Sequence, residues 1–147
     1  MNMGKLKQKS APYCLFILVF YLAEAIFLPY VVMYLTETGM TTAQASLAYS
    51  GMNIGAIIGG LGLGYCADRT RNPRGTLACA VGLSAGLILL LRLGTGVAFG
   101  AAVLFLFGFL EQPDIDLFDN LLVQNVKNWE KAFSVVHSFG NLGYVLG

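Results

Sequence analysis

Long apolar stretches separated by short polar clusters dominate this chain. Four stretches of about 20 residues lie near 13–35, 43–66, 75–93 and 97–122, and a fifth covers 132–147. Because a helix rises 1.5 Å per residue, about 20 apolar residues cross the roughly 30 Å core of a bilayer. The pattern predicts an all-α, polytopic membrane helical bundle with four complete helices and part of a fifth.

Composition agrees with a membrane protein and narrows the possible functions. The chain is 56% hydrophobic and 12% charged, against roughly 45–50% and about 25% in soluble proteins. Cys14, Cys66 and Cys79 lack the spacing of a disulfide framework or metal site, so we expect small buried residues and no metal or cofactor. No basic run is interleaved with aromatic residues, so we expect no nucleic-acid partner. The chain also lacks a catalytic constellation or a phosphate-binding loop, so we expect no enzyme.

The basic residues alternate along the chain. Lysine and arginine are frequent before the first helix and in the second and fourth loops, and absent from the first turn. Since cytoplasmic loops are enriched in these residues, we expect a multi-pass protein of the inner or plasma membrane. Residues 1–12 form a cytoplasmic N-terminal tail in this interpretation, and residues 13–147 form the membrane domain.

The second loop concentrates charge between two apolar stretches. One acid and three arginines lie between Gly64 and Gly75. Each charge costs about 2.5–3.5 kcal/mol at the centre of a spanning helix. We therefore predict a short loop at the membrane surface over these residues.

Four residues of this loop resemble a known motif. Gly64, Asp68, Arg69 and Arg74 match the signature that joins the second and third helices in each six-helix half of the major facilitator superfamily. The resemblance implies that the chain supplies the first helices of such a half and that the loop takes part in conformational change. Arg71 stands where the pattern usually has glycine. A solvated loop that follows the positive-inside rule would explain the arginines equally well.

Glycines in the second helix recur at every fourth position. Gly51, Gly55 and Gly59 share one helical face. Small residues with this spacing let a neighbouring backbone approach closely. We predict a packing face for another helix.

The first helix carries a carboxylate, Glu24, near its middle. A carboxylate is costly in lipid, so this side chain should face the bundle interior or water. It either lines a path for solute or protons, or serves as a hydrogen-bonding partner between helices.

Four further carboxylates cluster in the fourth helix. Asp116 and Asp119 fall on one side, whereas Glu111 and Asp114 point elsewhere, where we expect them to meet a neighbouring helix. Asp114 comes about 25 Å after the start of this helix. The alternative is therefore that the helix has already left the membrane there.

Asp119 and the start of the fifth helix are similar to the oligosaccharide/proton symporters, the branch related to lactose permease. In that family an acid and an arginine hold sugar hydroxyls, and an aromatic ring stacks on the sugar. The resemblance implies that Asp119 is the acid, His137 takes the place of the arginine and Tyr144 is the stacking ring. It also implies that Gly140 and Gly143 allow close packing.

Histidine at position 137 changes the expected chemistry. Arginine presents a fixed fork of donors, whereas histidine offers at most two. This widens the expected solutes from galactosides to other sugars, nucleosides or aromatic acids. His137 could instead bond a helix-end carbonyl, and Tyr144 could simply pack. The predicted solute-binding residues are Asp119, His137, Tyr144, Glu24, Asp116 and Asn141.

These resemblances imply the N-terminal portion of a secondary active transporter for a small polar solute, coupled to protons in the full-length protein. The expected partners are the bilayer, the solute and a C-terminal half, and we expect no transport by this chain alone. The alternative is a complete small four-helix membrane protein, an adaptor or a subunit of a dimeric exporter. A carboxylate in the first helix, as at Glu24, is typical of such exporters.

Overall fold

The computed structural model describes residues 3–94, 96–126 and 128–147, with side chains from residue 10 onward except at 112. These residues form five helices, α1 (Met3–Glu37), α2 (Thr42–Thr70), α3 (Pro73–Leu90), α4 (Val97–Asn125) and α5 (Trp129–Leu146). Four of them, α1 from Ser10 onward and α2 to α4, are long and apolar enough to cross a membrane. The predicted all-α membrane bundle is confirmed.

Most helices are longer than the apolar stretches that predicted them. Of the expected tail, residues 1–12, the first two lie outside the described residues and the rest belong to α1. The helix α5 begins at Trp129 rather than at Ala132, whereas α3 ends at Leu90, short of the expected 93. An apolar stretch identifies only the part of a helix that lies in the hydrocarbon core of the bilayer. Beyond it the helix continues until capping or a breaker ends it.

The expected loop between Gly64 and Gly75 is a two-residue connection, so its predicted extent was wrong. Only Arg71 and Asn72 separate α2 from α3. Arg71 has left-handed backbone angles (φ 51°), and the Asn72 side chain accepts a hydrogen bond from the Gly75 backbone N–H at 3.0 Å. Long polar side chains can reach water from the last turn of a helix without unwinding it. The motif residues accordingly lie on helices, with Gly64, Asp68 and Arg69 on α2 and Arg74 on α3.

The chain forms two compact units, of which one comprises Val32–Phe118. Within it, glycines of α2 pack against the backbone of α4. A Cβ atom at Gly55 would collide with the carbonyl oxygen of Phe105, and one at Gly59 with that of Phe109. Residue numbers rise together along both helices, so α2 and α4 run parallel here. The predicted packing face of α2 is confirmed.

The other unit comprises Met1–Val31 and Asp119–Gly147. In it, α5 packs on α1 through two buried glycines, Gly140 and Gly143. A Cβ atom at Gly143 would meet the carbonyl oxygen of Leu18, and one at Gly140 would lie 2.9 Å from the Tyr21 ring. The close packing that the family resemblance implied for these glycines is present.

The cysteines differ from expectation in their burial. All three are free thiols, but only Cys14 is buried, whereas Cys66 and Cys79 are exposed. A small thiol is compatible with an outer helix face as well as with a core. Composition could not distinguish these two situations, and the expectation of burial was wrong for two residues.

Candidate functional site

An acid on α4 and a histidine on α5 form the centre of the candidate site. The Nε2–H of His137 donates to Oδ1 of Asp119 at 2.9 Å, and the two side chains are 26% and 27% exposed. No residue in the described part of the chain bonds the other imidazole nitrogen, Nδ1, or the second carboxylate oxygen, Oδ2. The pair therefore presents two polar atoms to a third group.

Ring packing orients the imidazole of His137. Phe133 lies one turn earlier on α5, and its ring centroid is 4.2 Å from that of His137, with the planes tilted by 36°. Because residues four apart share a helical face, Phe133, His137 and Asn141 follow one stripe of α5. Asn141 is exposed. Its predicted role in solute binding stays a prediction.

Tyr144 continues this stripe and meets an aromatic residue of α1. Its ring contacts that of Tyr21 edge to face, with centroids 6.5 Å apart and an interplanar angle of 74°. Tyr144 remains 48% exposed, so part of its ring is available for stacking. Tyr21 was not among the predicted site residues. The sequence could have indicated Tyr21 as a site residue, because it lies one turn before Glu24 on the same face of α1.

Glu24 is an unpaired carboxylate in the same unit. Its Oε2 atom is buried and has no hydrogen-bond partner among the described residues. An unpaired carboxylate in apolar surroundings is costly. The residue as a whole is only partly buried, so its carboxylate can still accept a hydrogen bond.

A Cβ atom at Gly147 would meet the carbonyl oxygen of Leu22, as one at Gly143 would meet that of Leu18, so α1 and α5 run parallel here. The polar and aromatic groups follow one another along these two helices. Tyr144 lies seven residues beyond His137, which is about 10 Å along α5, and Glu24 lies three residues beyond Tyr21, which is about 4–5 Å along α1. The described unit thus offers a hydrogen-bonding pair, an aromatic pair and a carboxylate in sequence along about 15 Å.

The remaining predicted residues are not part of this arrangement. Asp116 is exposed and belongs to the other compact unit. In the predicted loop motif, Nη1 of Arg69 donates to the hydroxyl of Tyr65 at 3.2 Å, and Asp68 and Arg74 are exposed. Among the described residues no group of three or more His, Cys, Asp or Glu side chains could hold a metal ion.

The chain was also compared with known proteins. Residues 11–147 match the MFS_1 like family. Neither a curated protein nor a solved structure gave a significant match.

Proposed function

The chain belongs to the MFS_1 like family of the major facilitator superfamily, and on this basis we propose that it forms the N-terminal helices of a proton-coupled secondary transporter for a small polar solute. The proposal includes a C-terminal half as partner. Transporters built from two such repeats bind solute near the middle of the membrane and alternate its access to the two sides. The family match also favours this function over the alternative of a four-helix adaptor or exporter subunit.

The observation that carries the proposal is the hydrogen bond between His137 and Asp119. It leaves Oδ2 of Asp119 as an acceptor and Nδ1 of a neutral His137 as a second acceptor. Two neighbouring acceptors suit the hydroxyl donors of a sugar or nucleoside. In the absence of solute the two side chains satisfy each other, so neither is left as an isolated polar group.

The aromatic pair and Glu24 extend the proposed site. The exposed part of the Tyr144 ring would stack on the apolar face of a sugar or base, since such faces pack well on aromatic rings. Glu24 would accept a hydrogen bond or pair with a cationic group at the far end. Asn141 remains in the proposal as a further solute contact, whereas a solute contact at Asp116, which is exposed in the other compact unit, stays a prediction from the sequence.

We further propose the orientation that the basic residues favour, with the N-terminus and the α2–α3 connection in the cytoplasm of the inner or plasma membrane. The charged motif at that connection, which includes Asp68 and Arg69, would then lie at the membrane surface where the two halves move. Arginines there are exposed and can interact with lipid headgroups or the partner half.

Thermal unfolding of the purified chain in detergent, measured with a panel of sugars, nucleosides and aromatic acids, tests the site. A ligand at about 100 times its Kd stabilises the folded state by about 2.7 kcal/mol. We expect one solute class to raise the Tm of the native chain and to lose this effect in Asp119→Asn and His137→Ala.

Two variants of the same helix serve as controls. Glu130→Gln removes an exposed acid of α5, and Ser138→Ala removes the exposed hydroxyl next to His137. Both should retain the ligand-induced shift. Equal shifts in all four variants would disprove the proposed site, as would the absence of a shift with every class of solute.

A further inference from the structure

We propose that Glu111 and Asp114 of α4 form a proton-binding site and that Asp114 carries the proton in the conformation of this structure. Neither residue belongs to the proposed solute site. Both lie in the unit Val32–Phe118, within a helix that can cross the membrane.

The burial of Asp114 is the first argument. This residue is only 1% exposed, and both carboxyl oxygens are buried without a hydrogen-bond partner among the described residues. Glu111 is 8% exposed and precedes it by one turn of the same helical face. If both groups were ionised, two negative charges one helical turn apart would repel each other.

No described basic side chain forms an ion pair or a hydrogen bond with Asp114. Apart from Glu111, the buried side chains near this face of α4 are apolar and include Leu104, Phe107 and Phe118. Outside α4, the charged residues of this unit all lie at helix ends or in connections, namely Glu37, Asp68, Arg69, Arg71, Arg74 and Arg92.

Arg69 is the basic residue of α2. The contact of Gly59 with Phe109 places Asp114 level with Gly64, so Arg69 begins about 7 Å further along the helix axis. The Arg69 side chain is exposed and donates to Tyr65. It therefore does not neutralise Asp114.

An ionised carboxylate in this environment would carry a large desolvation penalty. A bound proton removes the charge, and two neighbouring carboxyl groups commonly share a single proton for the same reason. A metal cation would need several oxygen ligands, whereas the described residues contain no cluster that could hold a metal ion. The chemistry thus favours a proton taken from water as the ligand.

This site would give the N-terminal helices a proton-binding group of their own. Proton binding by Asp114 does not depend on the proposed function. Only the further statement that this proton drives transport rests on it. Protonation itself can be measured without any solute, so failure of the solute site would leave this result unchanged, and the reverse also holds.

Infrared spectroscopy of the full chain in lipid nanodiscs at neutral pH tests the inference. A protonated carboxyl group has a C=O stretch that is absent from an ionised one. We expect the difference spectrum, native chain minus Asp114→Asn, to show this C=O band. The frequency of the band should shift when H₂O is replaced by D₂O. The difference spectrum for Asp116→Asn, an exposed neighbour, should lack it. A flat difference spectrum for a folded Asp114→Asn variant would overturn the inference.

A second measurement avoids substitution in case Asp114→Asn does not fold. The native chain is labelled with ¹³C at the side-chain carboxyl of aspartate. We expect a protonated-carboxyl band that moves to lower frequency with the label, because a protonated aspartate is present. If no such band moves, all aspartates are ionised and the inference is wrong.

Discussion

The imidazole of His137 donates a hydrogen bond to Asp119 over 2.9 Å, joining α5 to the last turns of α4. The two helices are consecutive, and the short connection between them keeps both residues in the same compact unit. An acid and a basic ring thus meet where the family resemblance implied an acid and an arginine. The same pair can be tested for its contribution to stability as well as to binding.

We expect the two residues to be energetically coupled. In a double-mutant cycle of Asp119→Ala and His137→Ala, the coupling free energy of unfolding should be about 1 kcal/mol, because the pair is partly exposed. Unfolding in a titration with denaturing detergent measures it. A parallel cycle of Asp119→Ala and Ser138→Ala should give a value near zero, and equal values in both cycles would contradict the bond.

The glycine face of α2 predicts that alanine substitutions at two adjacent positions have different effects on stability. Gly59→Ala introduces a Cβ atom against the Phe109 carbonyl, whereas Gly60 has nothing within 4 Å of such an atom. We expect Gly59→Ala to destabilise the chain by about 1–3 kcal/mol, as overpacking does. Gly60→Ala should be neutral or slightly stabilising, because alanine favours helices. Similar midpoints of thermal unfolding for the two variants would argue against the α2–α4 contact.

Arg71 occupies the left-handed region at the end of α2 (φ 51°). A side chain in this region costs roughly 1–2 kcal/mol of stability, a cost that glycine lacks. Glycine also increases the conformational entropy of the unfolded chain, which lowers stability by about 0.4–1 kcal/mol. We expect Arg71→Gly to stabilise the chain by about 0.5–1 kcal/mol as the net result. Arg71→Ala removes the same charge but keeps Cβ, so it should show no gain. If alanine stabilises as much as glycine, the effect comes from charge and not from the backbone.

The start of α2 depends on a capping box at Thr41. Its hydroxyl accepts from the Gln44 N–H at 3.3 Å, and the Gln44 side chain accepts from the Thr41 N–H at 3.0 Å. Thr41→Ala should cost about 1 kcal/mol of unfolding free energy. Thr42→Ala alters the next exposed threonine and should cost little. A larger loss at Thr42 than at Thr41 would show that the cap is not formed.

The sequence by itself determined the membrane class, the helical segments and the glycine face of α2. These features are local, since apolar length and four-residue spacing are properties of one segment. The family resemblance also assigned Asp119 and His137, at two separate positions of the chain, to one site, but their hydrogen bond to each other came from the structure.

Only the tertiary structure decided which polar groups are buried and which partners they meet. It brought Tyr21 against Tyr144, left both carboxyl oxygens of Asp114 without a partner among the described residues, and kept Asp68 and Arg69 within α2. Helices that face lipid are apolar on nearly all sides, so hydrophobicity along the chain does not reveal the buried face. Which face of a helix is buried depends on which helices pack together, and this packing is determined by contacts between segments that are distant in sequence.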